Sequence, residues 1–246
     1  MIAPDWRDRG GHRLAYRKVE GKGPTVVWLG GFRSDMVGTK AESLARWAAR
    51  SGRAFMRFDY FGHGESEGRF ADGTIGRWRE DALAVIDRLT EGPLVLVGSS
   101  MGGWIACLVA QARPERIKAM ALIAPAADFT SALMEPGMDP VARREMGQTG
   151  VWMRPSDYGE PYPITRRLIE EGRAWSVLDQ RLVFDGPVRI LQGAEDPDVP
   201  WRHALKLAAA FSTPDVVFTL IKDGDHRLSR PQDIRRMIRT VGDLVA

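Results

Sequence analysis

The sequence predicts an α/β fold, in which a mostly parallel sheet is covered by helices on both faces. Two observations predict it: short apolar runs typical of buried strands alternate with helix-like segments, and the chain of 246 residues is long enough to bury a large core. Helical crossovers between strands are typical of parallel sheets. We therefore expect a single domain over residues 1–246, interrupted by an insertion at about residues 129–186.

The elements follow one another in a regular order. A hairpin turning at Gly10-Gly11 is expected first, around residues 2–19. Strands are predicted near residues 25, 54, 94 and 119, and the helices between them at residues 40–50, 76–90 and 103–113. The alternation stops after residue 129 and resumes with apolar runs at residues 188–191 and 216–221, which we interpret as the last two strands.

The pentapeptide G-S-S-M-G at residues 98–102 is the most informative motif. It follows an apolar run and opens a helix-compatible segment, which is the strand–turn–helix context of a G-x-S-x-G nucleophile elbow. The turn is so sharp that side chains at the two glycine positions would collide with neighbouring backbone. Ser99 would need a glycine where Val97 stands, so Ser100 is the candidate nucleophile.

A serine nucleophile needs a histidine base, and in this motif's architecture the acid and then the histidine follow the serine. His12 and His63 precede Ser100 and fail this order. His203 lies in a helical-looking segment, where a surface or packed side chain is expected. His226 follows the last strand across a short loop, from which it can reach over the sheet edge to the serine. We therefore predict His226 as the base.

The acid is expected at the end of the strand between serine and histidine, in the turn that follows residues 188–191. Asp196 and Asp198 both qualify chemically. We favour Asp196, three residues after Gly193 and held by Pro197, because the acid must point inward from a fixed turn. Asp198 is alternatively the cap of the following helix, and Asp128, after an earlier strand, is a third candidate.

Acyl transfer also needs donors for the developing oxyanion. One is the backbone N–H of the residue after the nucleophile, Met101. The second is predicted to be the N–H of Phe32, because Gly30-Gly31 follows the strand at residues 25–29 and lets the backbone approach the substrate. An ordinary Gly-Gly turn is the alternative interpretation of this segment.

The insertion at residues 129–186 is expected to form a lid. It holds five of the fifteen prolines, so it cannot be one long helix. It also holds four of the ten methionines, whose soft side chains suit a pocket for a flexible apolar group. A small helical subdomain packed on the core explains the same residues equally well. The candidates for substrate contact are Met134, Trp152 and Met153, and those for contact with an acidic group are Arg33, Arg143, Arg144 and Arg154.

Together these motifs resemble the α/β-hydrolase family, and the resemblance covers nearly the whole chain. Residues 58–66, Phe-Asp-Tyr-Phe-Gly-His-Gly-Glu-Ser, look like the family's Asp-x-x-Gly-x-Gly-x-Ser loop, which makes His63 a structural loop residue. The Gly30-Gly31-Phe32 turn departs from the family's common His-Gly-x form. The resemblance implies an α/β-hydrolase fold with a mostly parallel eight-stranded sheet and a small helical lid. It also implies the triad Ser100, Asp196 and His226.

Several segments are similar to those of the family's thioesterases and acyl-glucuronide esterases: residues 57–60, 98–104, 150–152, 155–158, 198–201 and 225–227. The lid segments are the most specific, because lids vary freely in this family. The resemblance implies that carboxylic esters or thioesters, including acylated proteins, are cleaved through an acyl-enzyme on Ser100. The alternatives are a non-catalytic binding or scaffold protein on the same fold and cofactor-free perhydrolysis.

Composition excludes several other classes. The 35 basic and 32 acidic residues are interspersed, giving a net charge of +3, and no basic block indicates nucleic-acid binding. No phosphate-binding loop or metal-spaced cluster is present, so we expect neither cofactor nor metal. No apolar run of about 18 residues or signal-like amino end indicates membrane insertion or secretion. With Cys107 as its single cysteine, the chain is expected to be a cytoplasmic enzyme acting on small or acylated substrates. The sequence leaves the oligomeric state open.

Overall fold

The computed structural model describes residues 5–9, 11–156 and 159–246. Its strands are β1 (Asp5–Arg9), β2 (His12–Val19), β3 (Lys22–Leu29), β4 (Arg53–Phe58), β5 (Leu94–Ser99), β6 (Ile117–Ile123), β7 (Val151–Ser156), β8 (Gly159–Thr165), β9 (Val188–Gly193) and β10 (Val216–Ile221). The helices are α1 (Thr39–Ser51), α2 (Ile75–Leu89), α3 (Met101–Ala112), α4 (Pro140–Thr149), α5 (Arg166–Arg173), α6 (Trp201–Ala210) and α7 (Pro231–Leu244).

Eight of these strands form one sheet in the order β1-β2-β4-β3-β5-β6-β9-β10. Six of these strands run parallel to one another, namely β4, β3, β5, β6, β9 and β10. The strand β2 pairs antiparallel with both β1 and β4. The predicted fold class is confirmed. The expected amino-terminal hairpin is β1–β2, in which Arg9 faces His12; Gly10 of its predicted turn lies outside the described residues.

The central strands are largely apolar because both faces of the sheet are covered. Side chains alternate along a strand, so Val26 and Trp28 of β3 enter a cluster with α1 and α7. Their neighbours Val27 and Leu29 enter the larger cluster on the other face, with α2 and α3. Because these strands run parallel, their carboxyl ends lie at one edge of the sheet. Ligand and catalytic sites of such sheets are usually formed by the loops at this edge.

The inserted segment adds a hairpin to the helical lid expected from the sequence. It consists of a π-helical turn at Thr130–Met134, helices α4 and α5, and the antiparallel pair β7–β8, which is separate from the main sheet. Gly150 ends α4 with a positive φ of 75°, and prolines in both following segments prevent helix from continuing. None of the helices in the described ranges is both long and apolar enough to cross a bilayer.

Asp128 fixes the far end of the lid to the sheet. Its buried carboxylate accepts hydrogen bonds from the backbone N–H groups of Val177 (2.9 Å) and Leu178 (3.0 Å) and from the Ser176 hydroxyl (2.6 Å). The aspartate that the sequence offered as a third candidate acid is therefore committed to the chain that leaves the lid.

The turn between β5 and α3 packs backbone directly on backbone. A Cβ atom added at Gly98 would lie 2.4 Å from the carbonyl oxygen of Gly102, and one at Gly102 would lie 2.0 Å from that of Leu29. Real Cβ contacts are never this short, so these two positions accept glycine alone unless the main chain moves.

Gly102→Ala is expected to lower the free energy of unfolding by at least about 2 kcal/mol, because the new methyl group must displace backbone in a close-packed core. The matched control is Gly147→Ala in α4, where nothing lies within 4 Å of the added Cβ. That change should stabilise the protein by about 0.5–1 kcal/mol. Chemical denaturation of both variants measures the difference. Equal stability of Gly102→Ala and the wild type would contradict the packing described.

Candidate active site

Ser100 lies at the sharp turn between β5 and α3, with φ 54° and ψ −119°. A positive φ is strained for a residue other than glycine, and three backbone hydrogen bonds hold it. The Ser100 N–H donates to the carbonyl of Ile123 at 2.9 Å, and its own carbonyl accepts from Gly103 (2.9 Å) and Ala126 (3.0 Å). Ser99, by contrast, is the buried last residue of β5.

The structure brings the three predicted triad residues into one hydrogen-bonded row. The Nε2 atom of His226 lies 3.1 Å from the Ser100 Oγ, and its Nδ1 atom lies 2.8 Å from the Oδ2 of Asp196. The carboxyl group of Asp196 is fully buried, whereas the imidazole is partly open to solvent. The arrangement permits proton transfer between Ser100 and a ring oriented from behind by a carboxylate.

Asp196 is held by donors on both of its oxygens. Oδ1 accepts from the backbone N–H groups of Asp198 (2.9 Å) and Val199 (2.8 Å), and Oδ2 also accepts from the side-chain amide of Gln192 (3.0 Å). Gln192, which is fully buried at the end of β9, was not predicted from the sequence as part of the site. These contacts fix the carboxylate toward His226 and leave Asp198 exposed at the surface.

Among the described residues, ligand atoms of Asp196, Asp198 and His226 lie within 4.8 Å of one another, which is close enough to consider a metal ion. Both ring nitrogens of His226, however, already contact Asp196 and Ser100. A metal ligand needs a free nitrogen lone pair, so the geometry favours the hydrogen-bonded row over a metal centre.

The loop that carries His226 is fastened to α1. The Lys40 ammonium donates a hydrogen bond to the carbonyl of Arg227, the residue after the histidine. Burial, followed by the nearby charge of Arg227, lowers the pKa of Lys40 to about 8. Within the loop, the Leu228 N–H donates to the Asp225 carboxylate at 2.8 Å. The histidine thus stands on a constrained turn.

The two predicted oxyanion donors belong to segments next to Ser100. Met101 is the first residue of α3, where a backbone N–H has no intrahelical acceptor. On the other side, a Cβ added at Gly31 would lie 3.4 Å from the Cβ of Ser100, so the backbone leading to Phe32 runs directly beside the serine.

His63 contacts the loop at residues 30–38, which carries the predicted donor Phe32 and is called the oxyanion loop below. Its Nε2 atom is 3.1 Å from the backbone nitrogen of Arg33, and its Nδ1 atom is 3.1 Å from the carbonyl oxygen of Phe61. Because a carbonyl can only accept, the proton is assigned to Nδ1, and Nε2 accepts from the Arg33 N–H. Burial lowers the pKa of His63 to about 4, so the ring is neutral at physiological pH.

A cavity of about 560 Å³ opens above Ser100 and His226. Its apolar wall comes from the core and the lid: Ala126, Phe129, Leu133, Met134 and Val199. Its polar lining includes Arg33, Arg154, Tyr162 and Asp198. The guanidinium of Arg33 lies 4.3 Å from the centre of the Tyr162 ring, a cation–π contact that joins the oxyanion loop to the lid.

A second cavity of about 300 Å³ meets the first at Ser100 and His226. Much of its surface comes from the oxyanion loop and the start of α1: Ser34, Asp35, Gly38, Thr39 and Lys40. Ser100 therefore lies where the larger cavity under the lid meets a smaller cleft beside α1.

Only one of the three lid residues that were predicted to contact substrate lines the large cavity. Met134 lines the large cavity, whereas Trp152 and Met153, both within the described residues, do not. Met153 is 50% exposed, and Trp152 packs against the main core. Met153 alternates with Arg154 along β7 and so lies on the opposite face from Arg154 and its partner Tyr162, which line the cavity. Trp152 shares the face of Arg154 but packs on the core instead.

Two of the four candidate arginines line the cavity, namely Arg33 and Arg154. Arg143 instead donates to the Met138 carbonyl inside the lid (3.0 Å), and Arg144 is exposed on α4. His203, interpreted from sequence as a surface or packed residue, is buried in α6 with its Nε2 2.7 Å from the Ala127 carbonyl.

The chain belongs to the α/β-hydrolase family. The Hydrolase_4 family model, described as "Serine aminopeptidase, S33", matches residues 24–170. The chain is similar to the palmitoyl-protein thioesterase ABHD10, mitochondrial, of Mus musculus, with 39% identity over 234 residues that cover 94% of this chain and 78% of the relative. The Homo sapiens relative of the same name is 37% identical over 235 residues, covering 94% and 76%.

Two solved structures are similar to this chain over nearly its whole length. A putative hydrolase from Agrobacterium vitis S4 superposes with a TM-score of 0.94 at 46% identity, covering 99% of this chain and 98% of that one. The structure of α/β-hydrolase domain-containing protein 10 from mouse gives a TM-score of 0.90 at 36% identity, again covering 99% and 98%.

The buried His63 is expected to make stability depend on acid pH. Its pKa is about 4 when folded and about 6.5 when unfolded, so between these values the unfolded chain binds a proton that the native protein does not. The contribution of the neutral His63 ring to the free energy of unfolding is complete above pH 6.5 and is lost as the pH falls toward 4. The free-energy advantage of the wild type over His63→Gln should shrink by up to about 3 kcal/mol from pH 7 to pH 4. Parallel denaturation curves measure it, and a constant difference would show that His63 is not buried neutral.

Proposed function

We propose that this protein is a serine hydrolase that cleaves carboxylic esters or thioesters through an acyl-enzyme on Ser100. The observation that carries the proposal is the row Ser100–His226–Asp196, with contacts of 3.1 and 2.8 Å, at the floor of a lid-covered cavity. The similarity to relatives named palmitoyl-protein thioesterase supports the same class of reaction.

In the first half-reaction the Ser100 Oγ attacks the acyl carbon while His226 Nε2 takes its proton. The carbonyl oxygen becomes an oxyanion that the N–H groups of Phe32 and Met101 stabilise. Asp196 stabilises the imidazolium, which then gives its proton to the departing alcohol or thiol. In the second half-reaction water attacks the acyl-enzyme, His226 again removes and returns a proton, and the carboxylic acid leaves Ser100.

The lining of the large cavity supports an apolar acyl group. Phe129, Leu133 and Met134 form a wall beside the nucleophile, and each methylene fully buried there contributes about 0.8 kcal/mol. We therefore propose medium-length acyl chains as the preferred donors.

Peptide cleavage from a free amino terminus, which the name of the family model raises, has less support. Recognition of an ammonium group needs gathered carboxylates, and the lining of the cavity has two arginines, Arg33 and Arg154, against the one carboxylate of Asp198. A binding or scaffold protein has no need of the strained Ser100 turn.

The cytoplasmic location expected from the sequence stays a prediction, and the mammalian relatives carry the word mitochondrial in their names.

Ser100→Ala should abolish hydrolysis of p-nitrophenyl esters and acyl thioesters, by ~10⁴-fold or more, because no nucleophile remains. The melting temperature should hardly change, and labelling by a fluorophosphonate should vanish. Ser99→Ala is the control and should retain measurable activity. Turnover in purified Ser100→Ala comparable with the wild type would remove Ser100 as the nucleophile.

Asp196→Asn should reduce kcat by on the order of 10⁴-fold, because an amide can present its NH₂ to His226 and favour the wrong tautomer. Asp198→Asn is matched in chemistry and lies two residues away, but it leaves the contact to His226 intact. Its kcat should fall far less. Steady-state kinetics on one ester decide between them, and the reverse ranking would assign the acid to Asp198.

The kcat/KM of the wild type should rise from acetyl toward medium-length acyl chains, by roughly fourfold for each methylene that is fully buried. Met134→Ala should flatten this rise, because Met134 lines the cavity. Met153→Ala, an exposed methionine of the same lid, should leave the rise unchanged. A series in which acetyl is best would mean that the lid packs around a small site.

A further inference from the structure

We propose that His63 is a positioning residue of the oxyanion hole, which acts by holding the backbone of Arg33 and, through it, the N–H of Phe32. The inference rests on the proposed function, since it concerns how one of the two oxyanion donors is kept in place. It gives a task to the histidine of the Asp-x-x-Gly-x-Gly-x-Ser loop, which otherwise stands outside the catalytic row.

The contact is made one residue from the proposed donor. The Arg33 N–H donates to His63 Nε2 at 3.1 Å, and Arg33 has a positive φ of 56°. An L-residue leaves this conformation readily unless its surroundings hold it. The peptide plane between Phe32 and Arg33 is therefore pinned at its N–H, and its orientation determines how the chain at Phe32 is presented to Ser100.

The imidazole is itself immobile, so its lone pair stays at one position. Its Nδ1–H donates to the carbonyl of Phe61, and its ring makes edge contacts with Phe70 and Trp78 at centroid distances of 5.3 and 5.2 Å. The Phe32 ring contacts the same two aromatic residues at 4.9 and 5.7 Å. One rigid aromatic cluster thus carries both the acceptor and the residue that it positions.

The far end of the loop is held independently. The Met36 N–H donates to the Asp59 carboxylate at 2.6 Å, and the Met36 carbonyl accepts from Arg57 at 2.8 Å. Loss of the His63 contact would consequently free the end of the loop nearest Ser100 while its other end stays attached. This predicts a defect in catalysis greater than the defect in folding.

His63 does not line either cavity that meets at Ser100, and both of its nitrogens have backbone partners. A direct part in proton transfer to the substrate is thereby excluded for this arrangement. Its effect has to pass through the loop.

Three variants separate the two contacts of the ring. His63→Phe removes both nitrogens and keeps an aromatic ring. His63→Gln puts an amide oxygen at the distance of Nε2 from the main chain, so it can still accept from the Arg33 N–H. His63→Asn puts its amide at the distance of Nδ1, so it can reach the Phe61 carbonyl but not Arg33. The two amides are matched in polarity and differ by one methylene.

For each variant, kcat and KM are measured on a p-nitrophenyl ester and an acyl thioester, together with the melting temperature and the affinity for a trifluoromethyl ketone. The ketone forms a tetrahedral adduct on the serine, and its oxyanion tests the hole directly. His63→Phe and His63→Asn should lose about 10- to 100-fold in kcat with KM nearly unchanged, as expected for a misplaced oxyanion donor, and they should bind the ketone correspondingly less tightly. His63→Gln should recover most of this loss.

The proposal is overturned if folded His63→Asn keeps the wild-type kcat, if His63→Gln is impaired as severely as His63→Asn, or if KM rises while kcat is preserved. Should His63→Phe fail to fold, the Gln and Asn pair decides alone. Wild-type protein that is inactive and unlabelled by a fluorophosphonate would instead reject the proposed function itself, which keeps the two failures distinct.

Discussion

Backbone-to-backbone packing at the β5–α3 turn is the constraint on which the rest of the site depends. Gly98 and Gly102 permit main-chain approaches that no side chain would allow, and the resulting turn leaves Ser100 with a positive φ. Strain of this kind persists only where the surrounding structure over-determines it. The neighbouring strand β6 and the chain that follows it, hydrogen-bonded to the turn through Ile123 and Ala126, supply that support. The remaining parts of the site are loops from neighbouring strand ends, arranged around this fixed point.

Much of the fold and of the hydrogen-bonded row Ser100–His226–Asp196 could be predicted because their signals are local. Strand-to-helix alternation predicts the layered sheet, and two glycines at fixed spacing single out Ser100 from Ser99. The order of serine, acid and histidine then leaves few candidates, although Ser100 and His226 are 126 residues apart in the chain. The choice between Asp196 and Asp198 was finer, and backbone donors to the Asp196 carboxylate explain why that side chain turns inward.

Features set by long-range register could not be predicted. Trp152 and Met153 look suited to a pocket, but Met153 lies on the opposite face of the β7–β8 hairpin from Arg154 and Tyr162, and Trp152 packs on the core. A polar residue such as Gln192 has no distinctive neighbours in the sequence, since its partners come together only when the turn after β9 folds. The hydrogen bond between His63 and Arg33 joins two loops 30 residues apart and depends on the same tertiary arrangement.

The meeting of two cavities at Ser100 has a consequence for the order of events in a catalytic cycle. In the proposed reaction, an acyl chain under the lid and an alcohol or thiol in the smaller cleft would occupy different spaces, so the second fragment could depart while the first stays attached to the serine. Water would then have the vacated cleft as a route to the proposed acyl-enzyme. Release of the proposed carboxylic acid product would require the larger cavity to empty, and that step is where lid motion would limit turnover.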